Sequence, residues 1–187
     1  MSAESNAPVK GAGNPVARAL DALAVLIVLY ALFHFFVAPR LQGGGAVAAP
    51  AVQLAALDGG TFSLAQHRGR VVFLDFWASW CEPCRFSLPL VERYARAHRD
   101  IDVVAVDAGE SAATAGAYAR AHRLSNVVLD ESQATTHAYG VTAFPTMVVI
   151  DADGNVRAKW VGFNPDVERA MADAAARYGA PQRTSSR

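Results

Sequence analysis

Charge of either sign is scarce in this 187-residue chain and balanced where it occurs: 17 Lys and Arg stand against 17 Asp and Glu, and together they make 18% of the residues. With a formal net charge of zero, the chain is not a basic nucleic-acid binder held by bulk electrostatics. Cysteine is scarcer still, at two residues, Cys81 and Cys84. Two cysteines cannot build a disulfide-dense secreted scaffold or a four-cysteine zinc site, so any cysteine chemistry is confined to one place. There is no internal repeat and no flavin or nucleotide motif, and no cofactor is expected. What is abundant is apolar, at 52%. That share implies one strongly apolar segment beside a globular part and excludes a wholly disordered chain. The length suits one ordinary domain plus an appendage, and such a domain buries a sufficient core without disulfide staples.

The apolar segment runs from Ala22 to Ala38, without a formal charge, between Asp21 and Arg40. At 1.5 Å per residue this is roughly 26 Å of helix, the short end of what spans a bilayer. Ala19 and Leu20 extend it, with Arg18 snorkelling to the headgroups, so an anchor over residues 19–39 is expected. Tyr30, Phe33, Phe35 and Phe36 make its outer half aromatic, and His34 reads as an interfacial residue. Lys10, Arg18 and the amino terminus precede the run, whereas Arg40 alone follows it before Arg68, which places residues 1–18 in the cytoplasm and the rest outside. A cleavable signal peptide is the competing reading, since Ala46-Val47-Ala48 resembles a cleavage site. That site lies well beyond the apolar run, however, and the run exceeds a usual signal core.

Residues 40–50, with Gly43, Gly44 and Gly45, cannot pack a face and read as a flexible linker. A domain is expected over 51–179, with 180–187 a disordered tail. Within it, Val52 to Leu57 suggests a short strand. Val71 to Trp77 is apolar except at Asp75, as in a strand buried on both faces. Pro83 to His98 has helical spacing, kinked at Pro89. Val103 to Val106 is a second buried strand, Ser111 to His122 a helix that Ser111 caps, and Val127 to Leu129 a brief strand before a helical stretch from Ser132 to Tyr139. Thr146 to Ile150 and Val156 to Val161 flank the turn Asp151-Ala152-Asp153-Gly154 and form a hairpin; Pro165 to Tyr178 closes as a helix. Strands alternating with helices before a terminal hairpin predict an α/β domain with a central mixed sheet flanked by helices.

Cys81-Glu82-Pro83-Cys84 sits where a buried strand ends and a helix begins. Alone, such a pair could be half of a metal site or a chance spacing. At a helix N-terminus, unpaired N–H groups and the helix dipole favour the Cys81 thiolate, and Pro83 suits the first turn. Two intervening residues bring the sulfurs close enough to cycle between dithiol and disulfide. Glu82 partly offsets the dipole, which keeps Cys81 less acidic than in strong oxidants and leans the pair towards reduction. Asp75, a carboxylate inside an apolar strand, is desolvated, and its pKa is expected to rise. Trp80 offers a flat apolar rim beside Cys81 for docking proteins, while Trp77 reads as core. His67, His98, His122 and His137 have no ligand-like spacing, and no metal site is assigned to them.

The segment Phe76-Trp77-Ala78-Ser79-Trp80-Cys81-Glu82-Pro83-Cys84-Arg85 resembles the active-site segment of thioredoxin-like proteins. Leu57-Asp58-Gly59, Gly69-Arg70-Val71-Val72, Tyr139-Gly140-Val141-Thr142-Ala143-Phe144-Pro145-Thr146 and Asp151 to Gly154 extend the resemblance, over roughly residues 51–178, to the membrane-anchored TlpA/ResA-like branch. It implies a thioredoxin-like fold and a cis Pro145 facing the cysteines. It also implies that the backbone of Phe144 and Thr146 borders the groove for a substrate peptide, with Trp80, Glu82, Pro83 and Pro145 also counted as substrate-binding. In thioredoxins an Asp six residues before the first cysteine lies beneath the second. Asp75 has that spacing, which implies proton exchange with Cys84. One departure stands out: where the ResA-like branch commonly has Glu, three residues after the second cysteine, this chain has Ser87, leaving Asp75 as the evident carboxylate for proton transfer.

The expectation is a single-pass, inner-membrane-anchored thiol–disulfide oxidoreductase facing the periplasm, acting as a monomer. Cys81 attacks a substrate disulfide and Cys84 resolves the mixed disulfide. Its partners would be exported thiol proteins such as cytochrome c apoproteins or copper-site proteins, with a transmembrane thiol reductant as electron donor. A copper(I)-handling module using the same two thiolates is the alternative; nothing nearby offers a third ligand, and Asp75 has no purpose there. An inert tethered interaction domain is the third reading.

Overall fold

The computed structural model describes residues 15–32 and 47–179. The chain forms two units, Met1–Gly45 and Ala46–Arg187. In the first, α1 (Pro15–Leu32) opens on a proline, which suits a first helical turn. Its Leu23, Leu26, Ile27 and Leu29 are exposed. Among the described residues no helix is long and apolar enough to cross a membrane. The remainder of the expected 19–39 anchor, with Phe33, His34, Phe35 and Phe36, lies outside the described residues, as does the tail from residue 180.

The second unit is built on one mixed sheet of eight strands: β1 (Val47–Ala48), β2 (Gln53–Ala56), β3 (Thr61–Ser63), β4 (Val72–Trp77), β5 (Asp102–Ala108), β6 (Val127–Asp130), β7 (Thr146–Ile150) and β8 (Asn155–Val161), in spatial order β1-β8-β7-β4-β5-β6-β2-β3. The three central strands β4, β5 and β6 run parallel, joined by the helices α2 (Cys84–Ala97) and α3 (Ala112–His122). A short α4 (Ala134–Ala138) follows β6, and α5 (Val167–Tyr178) ends the described chain. The β7–β8 hairpin pairs antiparallel with β4.

Every residue of β4 is buried, as an apolar run between two covered faces requires. Its alternation sorts the core. Val72, Leu74 and Phe76 pack with Val104, Val106, Val148 and Tyr139 on one face. Phe73 packs on the other face against Val91 and Tyr94 of α2 and Met171 of α5, with Trp77 beside Cys84, Leu88 and Ala119. Ser111 caps α3 by accepting from the Thr114 N–H at 3.3 Å, the role expected of it. The helix α2 runs on through Pro89.

One stretch read as linker is not loose. Val47 and Ala48 pair with Val156 and Asn155, and the Ala49 N–H donates to Gly154 O at 3.0 Å. Small residues without a side-chain pattern are ordered here by the ladder they complete, which no local signal announces.

Candidate active site

Where β4 ends, the chain turns through Ala78, Ser79 and Trp80; the Cys81 N–H closes the turn on Ala78 O at 3.1 Å. Cys81 and Cys84 form a disulfide, with S–S 2.03 Å and Cα atoms 5.3 Å apart. Because α2 starts at Cys84, its first N–H groups have no partner within the helix, and the Cys84 N–H points at Cys81 Sγ, 3.2 Å away. That is the contact through which a helix N-terminus favours a thiolate. Cys84 is wholly buried, whereas Cys81, itself only 4% exposed, lines an open groove. The two sulfurs are therefore not equivalent: a bulky partner reaches Cys81 first.

The groove encloses ≈ 710 Å³ between Trp80, Cys81, Glu82 and Pro83 on one side and residues of α4 and the following loop, including Thr136, His137 and Phe144, on the other. Trp80 is 68% exposed, and its ring meets the half-buried Phe144 edge-on at 5.7 Å. Glu82 is exposed and pairs loosely with Arg85 at 3.6 Å. The Phe144–Pro145 peptide is cis. Pro145 and Thr146 are buried rather than part of the groove lining; the Thr146 hydroxyl donates to Ala143 O at 2.7 Å, and Pro145 O accepts from the Gly162 N–H at 2.7 Å. The far wall is held by Asp130, which accepts from the N–H groups of Thr135 and Thr136 and from the Thr136 hydroxyl, at 2.7–3.2 Å.

Asp75 is 1% exposed, and its Oδ2 has no hydrogen-bond partner. The pleat puts it on the same face as Phe73 and Trp77, beneath α2, and its register neighbours are Ala105 and Met147. Ala105 packs in the same cluster as Cys84. Burial pushes the Asp75 carboxyl up to about 7, so near neutral pH it can both give and take a proton. Ser87, in place of an acid, is buried on α2 and brings no second carboxyl there.

The sequence reading passed over two other acids. Asp107, buried on β5 opposite Trp77, accepts from the Glu110 N–H at 3.2 Å. Glu110 in turn accepts from the Ser79 N–H at 2.5 Å and from the Ser79 hydroxyl at 2.6 Å. The signal was the one that singled out Asp75, an acid closing an apolar run, but the predicted strand stopped at Val106. His137, which has no ligand-like spacing in the sequence, borders the groove. Trp77 is core, its ring tilted against that of Tyr118 with centroids 5.1 Å apart. His67 bonds Asp102 at 2.7 Å, and His98 and His122 stack on Tyr94 and Tyr118. Among the described residues no three His, Cys, Asp or Glu side chains are grouped to hold a metal ion.

Comparison with known proteins agrees with this geometry. The Redoxin family model matches residues 45–175. The thiol-disulfide oxidoreductase ResA of Geobacillus thermodenitrificans is 30% identical over 146 residues, 76% of this chain and 84% of that protein. A Chlorobium tepidum structure described as a thiol:disulfide interchange protein DsbE superposes with a TM-score of 0.65 at 31% identity, covering 72% of this chain and 97% of that one. The exposed lipoprotein thioredoxin Etrx1 of Streptococcus pneumoniae does so at 0.59 and 29%, covering 68% and 99%.

Proposed function

This chain belongs to the Redoxin family and is a thiol–disulfide oxidoreductase of the TlpA/ResA-like kind, and from that premise we propose that it works as a membrane-tethered reductase of disulfides in exported proteins. The observation that carries the reading is the asymmetry of the cysteine pair. Cys81 faces the groove at a helix N-terminus, while Cys84 lies buried on the sheet face that also carries Asp75.

In the reduced protein the Cys81 thiolate attacks one sulfur of a substrate disulfide, and the other substrate sulfur leaves as a thiolate that takes a proton from solvent. Asp75 takes the proton of Cys84, whose thiolate attacks Cys81 Sγ and expels the second substrate sulfur. The substrate gains two electrons, and the enzyme is left with the Cys81–Cys84 disulfide, the form seen here. Trp80, Glu82, Pro83 and Phe144 form the docking rim, with the backbone at Pro145 and Thr146 behind it. Returning to the dithiol needs an external thiol donor. Outside the cytoplasm, where disulfides persist, that donor is a transmembrane thiol reductant. The uncharged run Ala22–Ala38, more basic on its N-terminal side, supports an anchor that leaves the second unit in the periplasm of a bacterial cell. Cytochrome c apoproteins and copper-site proteins are substrates of the right chemistry, cysteine-bearing exported chains that must be reduced before they take up their metal group.

The test is Cys84→Ser in the full chain, expressed in cells. Cys81 should then accumulate as mixed disulfides with exported proteins, recovered in the membrane fraction. Absence of such adducts across a range of redox conditions would refute the exchange, and adducts confined to the soluble fraction would refute the tether.

A further inference from the structure

Asp107 and Glu110 take no part in the exchange just described, yet they converge on the turn that carries Cys81. Paired residues of a parallel ladder share a face, so Asp107 lies on the α2 side of the sheet with Trp77 and Ala105. It is wholly buried, and its Oδ2 has no partner. Gly109, at φ +90°, where a Cβ would collide with the Gln133 side chain, turns the chain so that Glu110 faces Ser79. Both donors of Ser79, its peptide N–H and its hydroxyl, then end on the two oxygens of Glu110. Ser79 stands two residues before Cys81.

We propose that Glu110 is a positioning residue for Cys81: it pins the Ser79 end of the active turn through two hydrogen bonds, and its negative charge restrains ionisation of the Cys81 thiol. Asp107, buried behind Glu110, holds a proton near neutral pH. This rests on Cys81 being the attacking thiol.

Three observations bear on the division of labour. Two adjoining carboxyls in one site do not both ionise. Burial first, then the Glu110 side chain and its charge, raise the pKa of Asp107 well above the usual carboxylate range, against the Glu110 N–H, which lowers it. Glu110 has two donors to stabilise its charge, whereas Asp107 has one, the Glu110 N–H. The other groups that interact with the pair are Glu131 after β6 and Tyr118 on α3, and Tyr118 is in turn acted on by Glu82 and by Arg85 of α2. Tyr118 reports their balance: burial raises its pKa, Arg85 lowers it, and Glu110 and Glu82 raise it further. Two residues of chain span at most about 7 Å, and the reach to the carboxylate at one end and to the sulfur at the other adds about 6 Å, so the Glu110 charge lies within about 13 Å of the Cys81 sulfur. At an effective dielectric near 20, such a charge opposes thiolate formation by about one pH unit.

The experiment follows the rate of iodoacetamide alkylation of Cys81 against pH in the reduced full chain, with the modified residue assigned by mass spectrometry. In Glu110→Gln the midpoint should fall by about half to one pH unit. It should stay within about 0.2 unit of wild type in Asp107→Asn, which mimics the protonated acid, and in Ser79→Ala, which keeps the charge. An unmoved or raised midpoint in Glu110→Gln overturns the proposal, as does an Asp107→Asn shift equal to that of Glu110→Gln. If Glu110→Gln fails to fold, Glu110→Asp withdraws the charge by one methylene and should lower the midpoint by a smaller amount; no fall there also overturns it. Alkylation of Cys84 before Cys81 in the wild type would instead overturn the assignment of the attacking thiol, and the mass assignment tells the two failures apart.

Discussion

Asp75→Asn separates what a buried acid costs the fold from what it does for the chemistry. Burial raises the folded-state carboxyl from 3.8 to about 7. Between those two values the folded protein holds a proton that the unfolded chain has released, so stability falls as pH rises through this window. About three pH units at 1.36 kcal/mol each give a loss on the order of 4 kcal/mol, complete above the folded-state value. That is a large part of the 5–15 kcal/mol a domain typically has. Asparagine carries no such linkage. Variant and wild type should therefore converge below pH 4, and the variant should gain steadily above it, by a few kcal/mol at pH 8. Urea unfolding of the oxidised full chain at pH 4, 6 and 8, followed by tryptophan fluorescence, reads the difference directly. The same substitution removes the proposed proton acceptor for Cys84, and stopped-flow measurement should find the mixed disulfide resolving about a hundredfold more slowly. Parallel stability curves would refute the desolvation argument; an unchanged resolution rate would refute the proton transfer while leaving the burial intact.

The two tryptophans of the active segment should behave oppositely. Trp80→Ala, at a 68% exposed site, should leave stability within about 0.5 kcal/mol and raise KM for protein substrates; Trp77→Ala, wholly buried, should cost about 3–5 kcal/mol in chemical unfolding. Equal destabilisation by both would show that Trp80 is packing rather than docking surface. Asp130→Ala strands buried donors at the start of α4 and should cost about 1–3 kcal/mol, with faster hydrogen exchange at the Thr136 amide; a protected amide in the variant would show that the groove wall does not depend on this carboxylate.

The parts of the molecule written in local pattern were readable from the chain. A seven-residue apolar run gives β4, Ser111 caps α3 as its position suggests, and the Asp151–Gly154 turn joins β7 to β8. The cysteine pair was readable because two residues and a helix start nearly determine its geometry. What was not legible depends on partners distant in sequence. Val47 and Ala48 become strand only because β8 offers a free edge. Asp107 fell outside a strand whose predicted end was drawn at Val106, although the ladder to β4 continues to Trp77 and Asp107. Glu110 and Ser79 are 31 residues apart, and no spacing rule brings them together. His137 faces the groove because α4 is anchored by Asp130, six residues before Thr136.

Among the described residues the outermost strands are short, two residues in β1 and three in β3. An extended polypeptide seeking to join the ladder would find only a few open amides at either flank, too few to hold it by main-chain pairing. Recognition is thereby steered away from the flanks of the sheet and onto the loops at the ends of its strands. The same brevity that discourages stacking with other copies agrees with the proposed docking of a visiting chain in the cleft over the sulfur.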